Sequence, residues 1–377
     1  MSKLDSVIKD LNKKYKTPII GDQNNVTFAK GDEIPFISPA LTYIFHGGLP
    51  TNSLWEVSGA FSSGKSSLCF SIVGQAQKKF KQDWQAEVDK LSAMEKPNQT
   101  QKTRLAELIE NGEKKVVYLD SEHSADKVWM AKNGVDLDSI IFIFPQEESA
   151  ETLLQTTLDL AQTGQVGLII IDSLATLVSQ QAFDKELTEK TYCGIAGALT
   201  TWSAKILPML TKYNMTVICV NQERCLLNSP YGGTSTPGGK AFKFATHVRL
   251  SLRKGRFIDE SYKELTNGCE SSFGSISEVQ VLKNKLTKPD RRMTQFSITY
   301  NTGIDYFNDS FNMGVALGLI EKAGAWYSIL DKETGEPKVD DEGNNLKFQG
   351  KQKFIEYMRA HEDFTKELIK TIEEACK

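Results

Sequence analysis

The run Gly59-Ala-Phe-Ser62-Ser63-Gly64-Lys65-Ser66-Ser67 carries the spacing GxxxxGK[ST]. Glycines at such spacing let backbone N–H groups curl around an anion, and a helix starting at its close adds the positive end of its dipole. A lysine in this place reaches the outer phosphates of a nucleoside triphosphate, and the hydroxyl after it ligates Mg2+. Chance yields the pattern in roughly one chain of this length in a hundred. The candidate ATP contacts are therefore Gly59, Ser62, Ser63, Gly64, Lys65, Ser66 and Ser67.

Three further polar residues close apolar runs. Gly167-Leu-Ile-Ile-Ile-Asp172 puts a carboxylate where it would meet the Mg2+ held by Ser66. Val116-Val-Tyr-Leu-Asp120-Ser-Glu122 offers an acid to orient or deprotonate water, with helix capping as the plain alternative. Met215-Thr-Val-Ile-Cys-Val-Asn221-Gln222 offers an amide to a γ-phosphate, with turn formation as its alternative.

Such residues need strands to hold them. Short apolar runs predict strands at Leu54–Ser58, Lys115–Leu119, Ile140–Phe144, Val166–Ile171, Met215–Val220, Ala245–Leu252, Glu278–Asn284 and Gln295–Tyr300. Val166–Ile171 reads as a central parallel strand covered on both faces. Helices between the early strands and quick succession of the later ones predict an α/β fold. Its sheet is mixed and mainly parallel.

Leu4, Val7, Ile8, Leu11 and Tyr15 space an opening amphipathic helix. Residues 1–35 are read as this helix with a linker, 36–306 as the core, and 307–377 as a small C-terminal α/β lobe. Gln77–Lys114 reads as an inserted, charged helical hairpin broken at Pro97-Asn98, with Trp84, Val88, Leu91, Leu105, Leu108 and Ile109 at helical spacing.

The 377 residues are 40% hydrophobic and 25% charged, the profile of a globular protein. No apolar run reaches the roughly 18 residues of a membrane span, and no apolar leader opens the chain, so a cytoplasmic place with no membrane partner is expected. The six cysteines lack metal spacing and are read as reduced thiols. His123 and His247 are read as packing or polar-network residues rather than metal ligands. Net charge is −3, yet Gly238–Ile258 holds six basic residues and no acid, and Lys283, Lys285, Lys288, Arg291 and Arg292 follow around Asp290. A local basic surface suits a polyanion, though a solvated charged face explains it equally.

The block Tyr118-Leu-Asp-Ser-Glu122-His123-Ser-Ala-Asp126 resembles the glutamate segment of the RecA family of recombinases. Asn221-Gln222 followed by Gly232-Gly233-Thr-Ser-Thr-Pro-Gly238-Gly239-Lys-Ala-Phe-Lys243 resembles that family's second DNA-binding loop. Val281-Leu-Lys283-Asn284-Lys285 and Glu321-Lys-Ala-Gly-Ala-Trp326-Tyr327 are similarly close, and the likeness runs from about Phe36 to the C-terminus.

The resemblance implies a RecA-like P-loop NTPase core and a helical homo-oligomer on single-stranded DNA. It also implies DNA-stimulated ATP hydrolysis with strand exchange into homologous double-stranded DNA. Glu122 would be the catalytic glutamate, Gln222 the γ-phosphate sensor, and Asp126 with Trp129 would lie near the adenine. Lys283 and Lys285 would contact ATP across a subunit interface. A first DNA loop is expected near Gln181–Gly194 and a second near Glu223–Gly239. The DNA-binding candidates there are Arg224, Tyr231, Gly232, Gly233, Thr234, Ser235, Thr236, Gly238 and Gly239, with Lys240 and Lys243 beyond them. Trp129 stands where the family commonly has Tyr, and Ala198 where it often has Arg. These departures fit a bacterial or bacteriophage member. The competing readings are a hexameric helicase-like or transport ATPase on the same core, and a non-hydrolysing filament scaffold, against which Glu122 argues.

Overall fold

The computed structural model describes residues 3–15, 31–186, 194–225, 234–266, 272–331, 334–339, 343 and 345–377. Its centre is one sheet of β1 (Leu54–Gly59), β2 (Lys115–Asp120), β3 (Ile140–Ile143), β4 (Val166–Asp172), β5 (Thr216–Gln222), β6 (Val248–Ile258), β7 (Gly274–Asn284), β8 (Met293–Thr299) and β9 (Gly303–Ile304), in the order β9-β8-β7-β6-β1-β5-β4-β2-β3. Every pairing from β6 across to β3 is parallel, and β6 to β9 pair antiparallel. The expected mixed, mainly parallel α/β core is the observed one.

All seven residues of β4 are buried, which explains its unbroken apolar run. Leu168 and Ile170 face one core cluster while Ile169 and Ile171 face another, the period of two that a strand imposes. The first cluster is closed by α3 (Lys65–Ser92), the second by α6 (Ala150–Gln162) and α7 (Ala196–Lys212). The other helices on the way are α1 (Lys3–Tyr15), α2 (Pro39–Phe45), α4 (Gln99–Asn111) and α5 (Lys127–Lys132). On α1, Val7 is 48% exposed while Ile8 and Leu11 are half-buried.

The expected hairpin is α3 and α4, and its first arm is the P-loop helix itself, extended to 28 residues. Asn98 starts α4 with a capping box closed by Gln101. Trp84 donates Nε1–H to the Leu108 carbonyl at 2.8 Å and Arg104 pairs with Glu87 at 2.9 Å. Ile109, expected on the apolar face, is 64% exposed. The root of the hairpin belongs to the core. Phe80 is buried against Gly167 of β4, where any Cβ would lie 2.4 Å from the ring, and Gln77 bonds both ways to the Asp136 backbone.

Several strand boundaries move: β6 runs on to Ile258, β7 starts already at Gly274 and β8 at Met293. Ala245 ends a helix, α8 (Gly239–Ala245), and β6 starts only at Val248. Gly238 at φ +104° begins α8 in the left-handed region, where a Cβ would be strained.

Beyond β9, α9 (Tyr306–Ala316) leads into a three-stranded sheet of β10 (Ile320–Ala323), β11 (Trp326–Ile329) and β12 (Lys347–Gln349), then α10 (Lys351–Ala360) and α11 (Glu362–Cys376). These elements share a core of their own around Phe311, Phe354 and Ile369. No helix among the described residues is long and apolar enough to cross a membrane.

Candidate functional site

The P-loop links the end of β1 to the start of α3. Gly64 stands at φ +92° as the residue before the helix, a conformation that side chains with a Cβ resist. The loop carbonyls of Gly59 and Ala60 accept from Lys65 Nζ at 3.1 and 2.8 Å. Burial lowers the Lys65 pKa, while the nearby carboxylates of Asp172 and Glu122 work against that shift. Ser63 is buried and bonds back to Ala60, and Ser62 adopts a positive φ of 56° at the turn.

Parallel pairing brings the ends of β1, β5, β4 and β2 to one edge of the sheet, where open α/β sheets bind their ligands. Asp172 ends β4 and accepts from the Ser66 hydroxyl at 2.9 Å and the Tyr118 hydroxyl at 2.8 Å. Burial raises the Asp172 pKa against those two hydrogen bonds, which favour its charged form. Ser66 and Asp172 are hard oxygen donors side by side, a pair whose chemistry fits Mg2+.

Glu122 lies just past β2. Its Oε1 accepts from the Gln222 amide at 2.8 Å and from the Ser173 hydroxyl at 2.5 Å. Helix capping is not what holds this acid. Asp126 does the local capping instead, accepting from the Trp129 N–H at 2.8 Å at the start of α5, while Asp120 accepts from the Ala125 N–H at 2.9 Å in the turn before it. Trp129 lies against α3 and donates Nε1–H to Ser67 at 3.0 Å. Lys65, Ser66, Asp172, Glu122 and Gln222 are thus gathered at one sheet edge, although they span more than 150 positions of the chain.

Asn221, next to Gln222, is buried. It donates Nδ2–H to Glu56 at 2.9 Å and to the Pro237 carbonyl at 3.0 Å, and Arg249 pairs with the other oxygen of Glu56. The strand that carries Gln222 is thereby tied to the segment returning from the second loop. That segment shows Arg224–Cys225 paired with Thr234–Ser235. Thr236 and Gly238 are buried, whereas Thr234, Gly239 and Lys240 are exposed. Lys243 donates to Ser235 at 3.3 Å. Tyr231, Gly232 and Gly233 lie outside the described residues, as does part of the first loop.

Lys283 and Lys285 are not in the cluster. Lys283 donates to the Lys243 and Phe244 carbonyls at 2.8 and 2.9 Å, at the C-terminal end of α8 where cations are favoured. Burial and then the charge of Lys285 push its pKa down to about 8. His247 accepts the Leu54 N–H on Nδ1 at 3.0 Å, a place in a polar network. Tyr118 and Ser173 were not singled out in the sequence as partners of the two acids. A hydroxyl in the strand beside Asp172 and a serine directly after it were the available signals.

A P-loop closing β1, an acid closing β4 beside it, and a glutamate and an amide on the flanking strands define a P-loop ATPase of the α/β class. A profile of the RecA N-terminal domain matches residues 96–305, and one of the RecA C-terminal domain matches 308–377. Protein RecA of Thermus aquaticus is 29% identical over 378 residues, covering 99% of this chain and 94% of that protein. Protein RecA of Teredinibacter turnerae is 28% identical over 333 residues, covering 88% of this chain and 79% of the other. The chain belongs to the RecA family, and it is a DNA-dependent ATPase acting in homologous recombination.

Proposed function

We propose that this chain assembles as a filament on single-stranded DNA, binds Mg-ATP at the P-loop, and pairs the strand with homologous duplex while hydrolysing ATP. The observation that carries the reading is the Glu122 carboxylate. It is shared between the Gln222 amide and Ser173, beside Lys65, Ser66 and Asp172.

In this reading the loop N–H groups of 59–67 and Lys65 bind the triphosphate, and Asp126 with Trp129 border the base. Ser66 and Asp172 would hold Mg2+, which supplies charge neutralisation to the phosphates. Glu122 orients and deprotonates the attacking water. Gln222 exchanges its bond to Glu122 for one to the γ-phosphate, so the loop it leads into responds to the nucleotide. Arg224, the loop residues 231–239, Lys240 and Lys243 serve the DNA backbone, and Lys283 with Lys285 serve the nucleotide of a neighbouring subunit. The amphipathic helix α1, with Val7 exposed, suits docking on that neighbour. Residues 1–35, 36–306 and 307–377 are the units that this division of labour suggests.

Phosphate release measured with and without oligo(dT) tests the reading. Stimulation by DNA, absent in Lys65→Ala, is expected; hydrolysis indifferent to DNA would contradict it.

A further inference from the structure

The residue after Gln222 is an acid, and its bonds run to three separate segments. Glu223 Oε1 accepts from the Ser251 hydroxyl at 2.7 Å and shares the Ser58 hydroxyl with the Leu250 carbonyl, each at 3.0 Å. Ser58 and Ser251 are directly paired across β1 and β6, so this oxygen bridges one rung of the sheet immediately before the P-loop. Its other oxygen accepts from the Thr234 hydroxyl at 3.1 Å, on the strand that returns from the second loop. The Glu223 N–H points to the Gly59 carbonyl at 3.4 Å, the same carbonyl that accepts from Lys65.

We propose that Glu223 is a positioning residue that latches the returning arm of the second DNA loop to the root of the P-loop, so that a displacement of Gln222 is passed to the DNA contacts. The inference rests on the reading of Gln222 as the nucleotide-sensing residue. Its physics is leverage. Gln222 and Glu223 are consecutive, so a backbone shift that accompanies the exchange of Gln222's partner reaches the Glu223 carboxylate and strains its hold on the serines and Thr234. A side chain holding one rung with one oxygen and a loop with the other has two arrangements, latched and released, rather than a continuum. Without the latch, the described part of the loop arm is held by the short two-residue pairing of Arg224–Cys225 with Thr234–Ser235, the Lys243–Ser235 bond and the Asn221–Pro237 bond.

The test measures the affinity of full-length protein for fluorescein-labelled oligo(dT) by anisotropy. Readings are taken with a non-hydrolysable ATP analogue and with ADP, at one fixed salt concentration. Glu223→Ala should reduce the ratio of the two affinities by about tenfold or more, the scale of one hydrogen bond to a charged group. Binding of fluorescent ATP should be within about twofold of the parental value. Glu223→Gln keeps an oxygen on Ser58 and Ser251 and an amide that the Thr234 hydroxyl can accept from, so it should restore most of the ratio. Thr234→Val removes the far end of the latch and also a proposed DNA contact, whose loss would weaken binding in both nucleotide states alike; a lower ratio, not a lower affinity, is therefore the expected sign, and it keeps the test sound if Glu223→Ala folds poorly. A parental ratio in Thr234→Val and in folded Glu223→Ala overturns the latch, provided Gln222→Ala has lost it. If Gln222→Ala also keeps the ratio, the sensing role of Gln222 fails instead.

Discussion

Replacing Glu122 by Gln separates chemistry from architecture. Oε1 of Glu122 holds two donors, Gln222 at 2.8 Å and Ser173 at 2.5 Å, and the amide oxygen of a glutamine can keep both. What is lost is charge. A hydrogen bond to a charged group contributes about 1.5–3 kcal/mol and a neutral one about 0.5–1.5, so two such bonds give up about 2–3 kcal/mol before screening. Glu122 is only half-buried, and solvent screening brings this nearer to about 1 kcal/mol, or a few degrees in Tm for a chain of this size. The effect on hydrolysis is larger. Losing a group that acts in the transition state costs about 100- to 1,000-fold in kcat. Glu122→Gln should therefore melt within a few degrees of the parent, bind ATP, and turn over at least about 100-fold more slowly on saturating single-stranded DNA. The variant also loses one of the carboxylates that hold up the Lys65 pKa, so the alkaline fall of ATP affinity should begin at lower pH than in the parent. Parental turnover on saturating DNA would refute the assignment. Loss of ATP binding together with turnover would show that Glu122 serves binding rather than chemistry.

Other outcomes follow from the same structure. Mixing Lys65→Ala with Lys283→Ala/Lys285→Ala, each inactive alone, should recover part of the ATPase, because some interfaces then pair an intact P-loop with intact lysines; no recovery despite verified co-assembly would count against a site completed in trans. With its pKa pushed down to about 8, Lys283 is charged below that pH and loses its proton above it, so ATPase that depends on it should fall as pH rises through about 8. Lys283→Arg should move that alkaline limb upward, since arginine stays protonated. Replacing residues 82–111 by a short linker should preserve DNA-stimulated hydrolysis, measured as phosphate release. A cut that also removes Phe80 should lower stability by about 3–5 kcal/mol, measured by denaturant titration, because it empties the site over Gly167.

The chemistry was legible where one residue type has few other uses. Gly64-Lys65-Ser66 and an aspartate closing an unbroken apolar run mark themselves, and the parallel sheet follows from alternating runs. The Gln77–Lys114 hairpin was legible as two arms, but not where the core ends. Nothing in the local pattern says that Phe80 crosses to Gly167. Ala245 looked like strand because it adjoins β6, while Gly238 at a positive φ starts a helix there instead. The shared carboxylate of Glu122 and the latch of Glu223 were hidden for a different reason. They join residues 11 to 165 positions apart, and such contacts depend on which strands and loops become neighbours.

The central claim is that ATP turnover at this site drives pairing of a bound single strand with its homologue. The direct measurement is displacement of a labelled strand from duplex DNA by filaments preformed on a single strand, with homologous and unrelated duplexes in parallel. The account predicts ATP-dependent displacement from the homologous duplex alone, and none by Lys65→Ala. Displacement independent of homology, as a translocating motor would give, or no pairing by protein that hydrolyses ATP on DNA, would contradict it.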